Sequence, residues 1–270
     1  MTGGRAAAPI GVFDSGIGGL TVVHELMRCL PQESIIYFGD TARVPYGPKS
    51  PDTVRRYSRE IGSFLVDQGV KVLVVACNTA TAHALTLLRE ELPCPVVGVV
   101  EPGARAAVGA SRGGALGVIG TAGTIASGAY DRAIRVLAPD ASVVARACPL
   151  FVPLVEEGWV DTHVTRLVAH EYLDPMRADG IDALVLGCTH YPLLKPLLQQ
   201  IVGDSVRLID SAEETAAETA RLLDSLHLRA PAGAAPAYRF IASDAAPQFL
   251  RLGQRFLGDS IDKVETLTLG

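Results

Sequence analysis

The chain has 270 residues, enough for one large domain or two smaller ones around a real core. Its 49% hydrophobic and 20% charged residues are the balance expected of a soluble globular protein. A net charge of −5, with no block of Lys or Arg, argues against nucleic acid or an anionic membrane surface as partner.

No apolar stretch approaches the ~18 residues of a membrane span, and the opening MTGGRAAAPIGVF lacks the apolar core of a secretory leader. The five cysteines (Cys29, Cys77, Cys94, Cys148 and Cys188) are odd in number and widely spaced, without a C-x-x-C pair. That pattern argues against a disulfide framework and a zinc site, and the expectation is a cytoplasmic protein with reduced thiols and no metal.

In chain order, short apolar runs at 10–13, 35–38, 72–76, 96–100, 116–119, 142–146, 182–187 and 206–209 alternate with segments of helical period. Strands interleaved with helices imply βαβ units and parallel sheets. The first run ends in DSGIGG and the second at Asp40, which admits a dinucleotide reading. The glycine spacing lacks the last Gly of G-x-G-x-x-G, however, and Asp14 would repel a pyrophosphate. In KSPDTVRRYSREIGSFLVDQG, Ser50 can cap a helix and Pro51 suits its first position. Val54, Tyr57, Ile61, Phe64 and Gln68 are expected on one face, and Gly69 is the stop. The remainder opens with a helical stretch (211–226) and a linker, RAPAGAAP (229–236). It ends in strand YRFIA, helix APQFLRLGQRFL and strand KVETLTL, a tail expected to pack on the first unit.

The sequence also matches itself. QGVKVLVVACNT (68–79) lies over DGIDALVLGCTH (179–190), IGVFDSGIGGL (10–20) over LGVIGTAGTIA (116–126), and strand IIYF over VVAR. Similar stretches in the same order at nearly the same offset imply a duplicated α/β unit. The expected fold is therefore α/β: two pseudo-symmetric parallel-sheet domains with the active site in the cleft between them. Residues 1–97 plus 210–270 form the first, discontinuous domain, and 98–209 the second.

Ligands of parallel α/β sheets bind beyond the carboxyl ends of the strands. There the repeat puts Asp14-Ser15 opposite Thr121 and Thr124, and Cys77-Asn78-Thr79 opposite Cys188-Thr189-His190, each group preceding a helix N-terminus suited to a carboxylate. Only Cys77 and Cys188 are equivalent thiols. Two thiols on opposite walls of one cleft are what inversion at a carbon needs, one removing a proton from one face while the other delivers a proton to the opposite face. Asp14 and His190 are candidate partners of the thiols, and Glu156 is a third acidic candidate. Other roles remain open. Asp14 could cap a helix, His190 could be a core histidine satisfied by backbone, and Glu156 and Glu157 could both be solvated. Tyr46 could be a turn residue, while Cys29, Cys94 and Cys148 look structural, Cys148 well away from the repeated strand ends.

As a set, VFDSGIGGLTV, YFGDTARVPYGPKS, VVACNTATA, VIGTAGT, CPLFVPLVEEG and LVLGCTHYPLL resemble the glutamate racemase family over about 10–220. The resemblance implies a cofactor-independent, two-base racemase that makes D-glutamate for peptidoglycan, acting on L- and D-glutamate as a cytoplasmic homodimer. It also implies acid/base roles for Cys77 and Cys188, assisting roles for Asp14 and His190, and Glu156 as the third acid. Asp14, Ser15, Tyr46, Gly47, Asn78, Thr79, Thr121, Thr124, Thr189 and His190 look like substrate-binding positions. A non-catalytic two-lobed binding protein is the alternative from a different class.

Overall fold

The computed structural model describes residues 5–269. Residues 1–4, part of the segment read above for a leader, and residue 270 lie outside the described residues. The first unit runs β1 (Ile10–Asp14), α1 (Leu20–Cys29), β2 (Ile35–Gly39), α2 (Pro51–Asp67), β3 (Val72–Val75), α3 (Asn78–Glu91) and β4 (Val96–Gly98). Helix α4 (Val100–Ala110) leads into β5 (Ala115–Gly120), α5 (Ala122–Ala126), α6 (Ala129–Leu137), β6 (Val143–Ala147) and α7 (Phe151–Glu156). The second unit ends with α8 (His163–Ala178), β7 (Ile181–Gly187), α9 (Lys195–Val202) and β8 (Arg207–Asp210). The tail adds α10 (Ser211–Ser225), β9 (Tyr238–Ala242), α11 (Ala246–Leu257) and β10 (Glu265–Thr266).

The strands form two parallel sheets, in the orders β10-β9-β2-β1-β3-β4 and β6-β5-β7-β8. The duplicated parts share one topology, since β2-β1-β3-β4 and β6-β5-β7-β8 are the same order applied to successive strands. Every residue of β1, β2 and β3 is buried, as expected of parallel strands covered by helices on both faces. Edge strand β6 is only half-buried and carries the charged Arg146, and a charge on an edge strand discourages edge-to-edge pairing.

Local chemistry explains the helix boundaries. Ser50 Oγ accepts from Thr53 N at 3.3 Å, Pro51 occupies the first turn of α2, and Gly69 takes a φ of +78° just beyond its end. The buried face of α2 is turned from the expected one. Val54, Ser58, Ile61, Gly62 and Leu65 are buried, Tyr57 and Phe64 are half-buried and Gln68 is exposed. Packing against α3 is the reason, because a Cβ on Gly62 would lie 2.9 Å from Leu92 Cδ1. The run expected as a strand over 96–100 ends at Gly98, and Val100 already begins α4.

The tail closes the first sheet. β9 pairs with β2 in the register Ile35↔Tyr238, and Phe249 and Leu257 of α11 join the core over α1. Of KVETLTL only Glu265–Thr266 pairs as a strand. The buried Lys71 ammonium pairs with Glu33 and donates to the carbonyls of Ala6 and Leu228, while Glu33 Oε1 accepts from Ala230 N. With every donor of the ammonium occupied, this buried pair ties the linker to β3, and removing either partner would strand a charge.

Candidate active site

The segments that follow β1, β3, β5 and β7 meet across one cleft. Asp14 ends β1 with its side chain fully buried; its Oδ2 accepts from Gly16 N at 2.9 Å and its Oδ1 from Thr189 Oγ1 of the other unit at 3.4 Å. The glycine-rich turn after it is shaped by close approach of the two units. A Cβ on Gly18 would overlap the Thr189 hydroxyl and lie 2.5 Å from His190 Nδ1. Gly18 thus admits a loop of the other unit, Gly16 lies against Val44 and Gly19 against Asp14 and Tyr37, and the partial dinucleotide signature has this steric explanation.

Cys77 stands at the N-terminus of α3, its sulfur accepting from Ala80 N at 3.4 Å. Cys188 follows β7, its sulfur 3.9 Å from His190 Nδ1, and His190 Nε2 lies 3.0 Å from Glu156 Oε1. Glu157 is exposed, so Glu156 alone of the two reaches the imidazole. His190 is satisfied by these side chains, unlike the backbone-bonded core histidine considered from sequence. Both thiols are buried, each 5% exposed. The cavity beside Glu156, about 320 Å³ between α7 and α11, has neither thiol in its lining.

Charge differs sharply between the two thiol neighbourhoods. Burial pushes Cys77 up to about 12, and the nearby Asp14 carboxylate adds to the rise against the Ala80 N–H and the Ser15 hydroxyl. Burial likewise raises Asp14 above the ordinary carboxylate range, opposed by the charge of His190 and the N–H groups of Gly16 and Gly19. For His190 burial acts downward, but its hydrogen bonds to Cys188 and Glu156 outweigh it and hold the ring at about 10. At neutral pH a neutral thiol beside Asp14 therefore faces a second sulfur that has an imidazolium next to it.

Thr79, Thr121 and Thr124 form a triangle of hydroxyls with sides of 2.8, 3.2 and 3.0 Å. It joins the start of α3 in one unit to the start of α5 in the other. Thr121 Oγ1 caps α5 by accepting from Thr124 N at 3.2 Å. Gly47 lies against Thr121, and a Cβ on Gly123 would fall 2.6 Å from the Gly47 carbonyl, so here too glycines permit contact of the units.

The Tyr46 phenol is 1% exposed and donates to Asp40, which also pairs with Arg43. The loop 41–48 is pinned by this side chain. One sequence expectation needs correction. Cys148 is not well away from the repeated strand ends. Its N–H bonds the Gly120 carbonyl at 2.8 Å and its side chain shares a core cluster with Cys188. It occupies the place in the second unit that Asp40, bonded to the Asp14 carbonyl, holds in the first. With β5 between β6 and β7, the backbones that carry the two cysteines stand two strand places apart, roughly 10 Å, beyond disulfide reach.

Sequence reasoning did not single out Thr21, Tyr37 or Tyr130. Thr21 Oγ1 donates to the Thr189 carbonyl at 3.1 Å, Tyr37 to the Gly16 carbonyl at 2.8 Å, and Tyr130 to Asn78 Oδ1 at 2.7 Å. None lies in the polar groups at strand ends; Thr21 has a counterpart in Ser127, whose hydroxyl bonds the Thr124 carbonyl as that of Thr21 bonds Gly18, but Tyr37 and Tyr130 have no similar partner in the repeat. No cluster of His, Cys, Asp and Glu able to hold a metal occurs among the described residues.

Two duplicated α/β units with a thiol at the third strand of each define a class, and residues 10–219 match the family of Asp/Glu/hydantoin racemases. The chain belongs to that family. Within it, the chain is 55% identical to the glutamate racemase of Geobacter metallireducens over 96% of both chains. Its structure is similar to that of glutamate racemase isoform RacE1 from Bacillus anthracis, with a TM-score of 0.93 and 42% identity over 96% of this chain and 97% of that one. It is also similar to the glutamate racemase of Francisella tularensis in complex with D-glutamate, with a TM-score of 0.91 and 40% identity over 97% and 98%.

Proposed function

We propose that this racemase interconverts L- and D-glutamate without a cofactor, one thiolate taking the α-proton and the opposite thiol returning a proton to the other face. The observation that carries the reading is the pairing of Cys77 and Cys188 at equivalent strand ends of opposing units, with neighbours of opposite charge. Ionising Cys77 from a value near 12 at pH 7 would require on the order of 7 kcal/mol, at 1.36 kcal/mol per pH unit. That is too much for a resting base, so Cys77 waits as the acid unless a substrate ammonium enters beside Asp14. An imidazolium at His190 is the neighbour that suits a thiolate at Cys188, and Glu156 keeps that ring oriented and charged.

The substrate carboxylates find donors in the Thr79, Thr121 and Thr124 hydroxyls, the Asn78 amide, Ser15, Thr189 and the backbone of Tyr46-Gly47, close to the N-termini of α3 and α5. The buried Asp14 carboxylate suits the α-ammonium and helps the developing carbanion form without losing that charge. The product would serve peptidoglycan synthesis in the cytoplasm. No helix among the described residues is long and apolar enough to cross a membrane.

The two catalytic units divide near residues 97 and 210, where the chain passes between the sheets. A homodimer accords with the exposed Val136, Leu150, Trp159 and Leu167, apolar side chains that a second copy would cover. Incubation with L-glutamate in deuterated buffer without pyridoxal phosphate tests the activity, and α-deuterated D-glutamate is expected. A protein that binds glutamate but neither exchanges the α-proton nor forms D-glutamate is a binding module, and the reading is then wrong.

A further inference from the structure

Tyr130, on α6 of the second unit, reaches across to the first. Its hydroxyl donates to Asn78 Oδ1 at 2.7 Å, and both residues are buried, 3% and 2% exposed. An amide offers an acceptor at one end and two donors at the other, so a partner on Oδ1 decides where Nδ2 points. Here Nδ2 is buried and has no partner among the described residues. A buried donor left unpaired destabilises a fold, and the natural complement for this one is an accepting group of a ligand. Burial also raises the phenol above its ordinary range, so Tyr130 keeps its proton and acts as the donor.

The ring of the same residue reaches the other thiol segment. A Cβ on Gly187, the residue before Cys188, would lie 3.1 Å from Tyr130 Cε2, and one on Gly103 would lie 3.3 Å from the phenol oxygen. The slot for the ring is thus built from glycines. One side chain touches the residue that follows Cys77 and the residue that precedes Cys188.

We propose that Tyr130 is a positioning residue of the racemase site, holding the Asn78 amide with its donor toward a substrate carboxylate and setting the spacing between the two thiol-bearing segments. This rests on the reading of Asn78 as a substrate contact in a glutamate racemase. Tyr130→Phe leaves the ring in its slot and removes only the hydroxyl, which frees the amide to turn. The expected result is a KM for both enantiomers raised about tenfold, with kcat within about threefold of the unsubstituted enzyme and a melting temperature lowered by only about a few degrees, since the Asn78 oxygen loses a buried partner. Asn78→Ala should raise KM at least as far, and adding Tyr130→Phe to it should raise KM no further, because the amide that the phenol orients is gone.

A Tyr130→Phe enzyme with an unchanged KM, or one whose effect persists in full in the Asn78→Ala background, overturns the proposal. Should Tyr130→Phe fail to fold, Asn78→Ala alone decides, and an unchanged KM there overturns it as well. Absence of glutamate turnover in the unsubstituted chain is the failure of the functional reading itself. Turnover with the KM of Tyr130→Phe unchanged is the failure of this inference alone.

Discussion

Cys77 and Cys188 are chemically the same residue in different electrostatic settings. Burial, reinforced by the neighbouring Asp14, keeps a proton on one sulfur, while a cationic neighbour, His190, stands 3.9 Å from the other. The proposed two-thiol reaction needs one acid and one base at the start of each turnover, and this asymmetry suits that division. Cys77→Ala and Cys188→Ala should each lower turnover at least about a thousandfold, the upper range for loss of a positioned acid or base, with unchanged circular dichroism. A single variant retaining near-normal turnover would contradict the two-thiol assignment. Cys77 and Cys188 stood out in the sequence because the internal repeat pairs them, and neither motif alone would have raised its thiol above a core cysteine. Tyr130 did not, because a tyrosine's partner is set by where α6 packs, which no local pattern records. The partner of Tyr46 was hidden for the same reason, since the turn signal in VPYGPK is silent about Asp40.

At the scale of elements, helices deliver the site. Helices α3 and α5 start where β3 and β5 end, so polar side chains at these starts face the cleft with free N–H groups behind them. The alternation of strands and helices was readable because each parallel strand is a short apolar run and each helix has its own stop. The ends of β4 and β10 were misjudged where apolar residues continue past the last ladder bond. Loop glycines set how closely the elements approach. Gly18→Ala should therefore force the turn after β1 away from Thr189 and His190. The expected outcome is a loss of kcat of about tenfold or more, in keeping with the sensitivity of catalysis to ~1 Å displacements, while the denaturation midpoint falls only slightly. A variant with full activity would mean that the units meet differently at this point.

At the scale of the molecule, two copies of one topology, the first extended by the tail, close on each other with Asp14, Cys77, Cys188 and His190 buried at the join. Buried titration ties stability to pH. The native protein holds the His190 proton up to about pH 10, whereas an unfolded chain releases it near 6.5. Between those values the native state binds more protons, so stability falls as pH rises, and the contribution is fully present only below about 6.5. Cys77 acts in the same sense at higher pH, through about 12. Denaturant unfolding from pH 6 to pH 10 should show a decline on the order of a few kcal/mol, and His190→Asn should flatten it. A decline of equal size in that variant would place its origin elsewhere.

The most direct test of the paired-thiol account follows the proton itself. During the early turnover of protiated L-glutamate in deuterium oxide, before the product can return, D-glutamate is sampled together with the unreacted L-glutamate. Two opposed thiols predict D-glutamate fully deuterated at the α-carbon and L-glutamate still protiated, because the abstracted proton stays on one sulfur while the other delivers deuterium from solvent. Early D-glutamate that retains the original proton would show one group acting on both faces and would contradict the account.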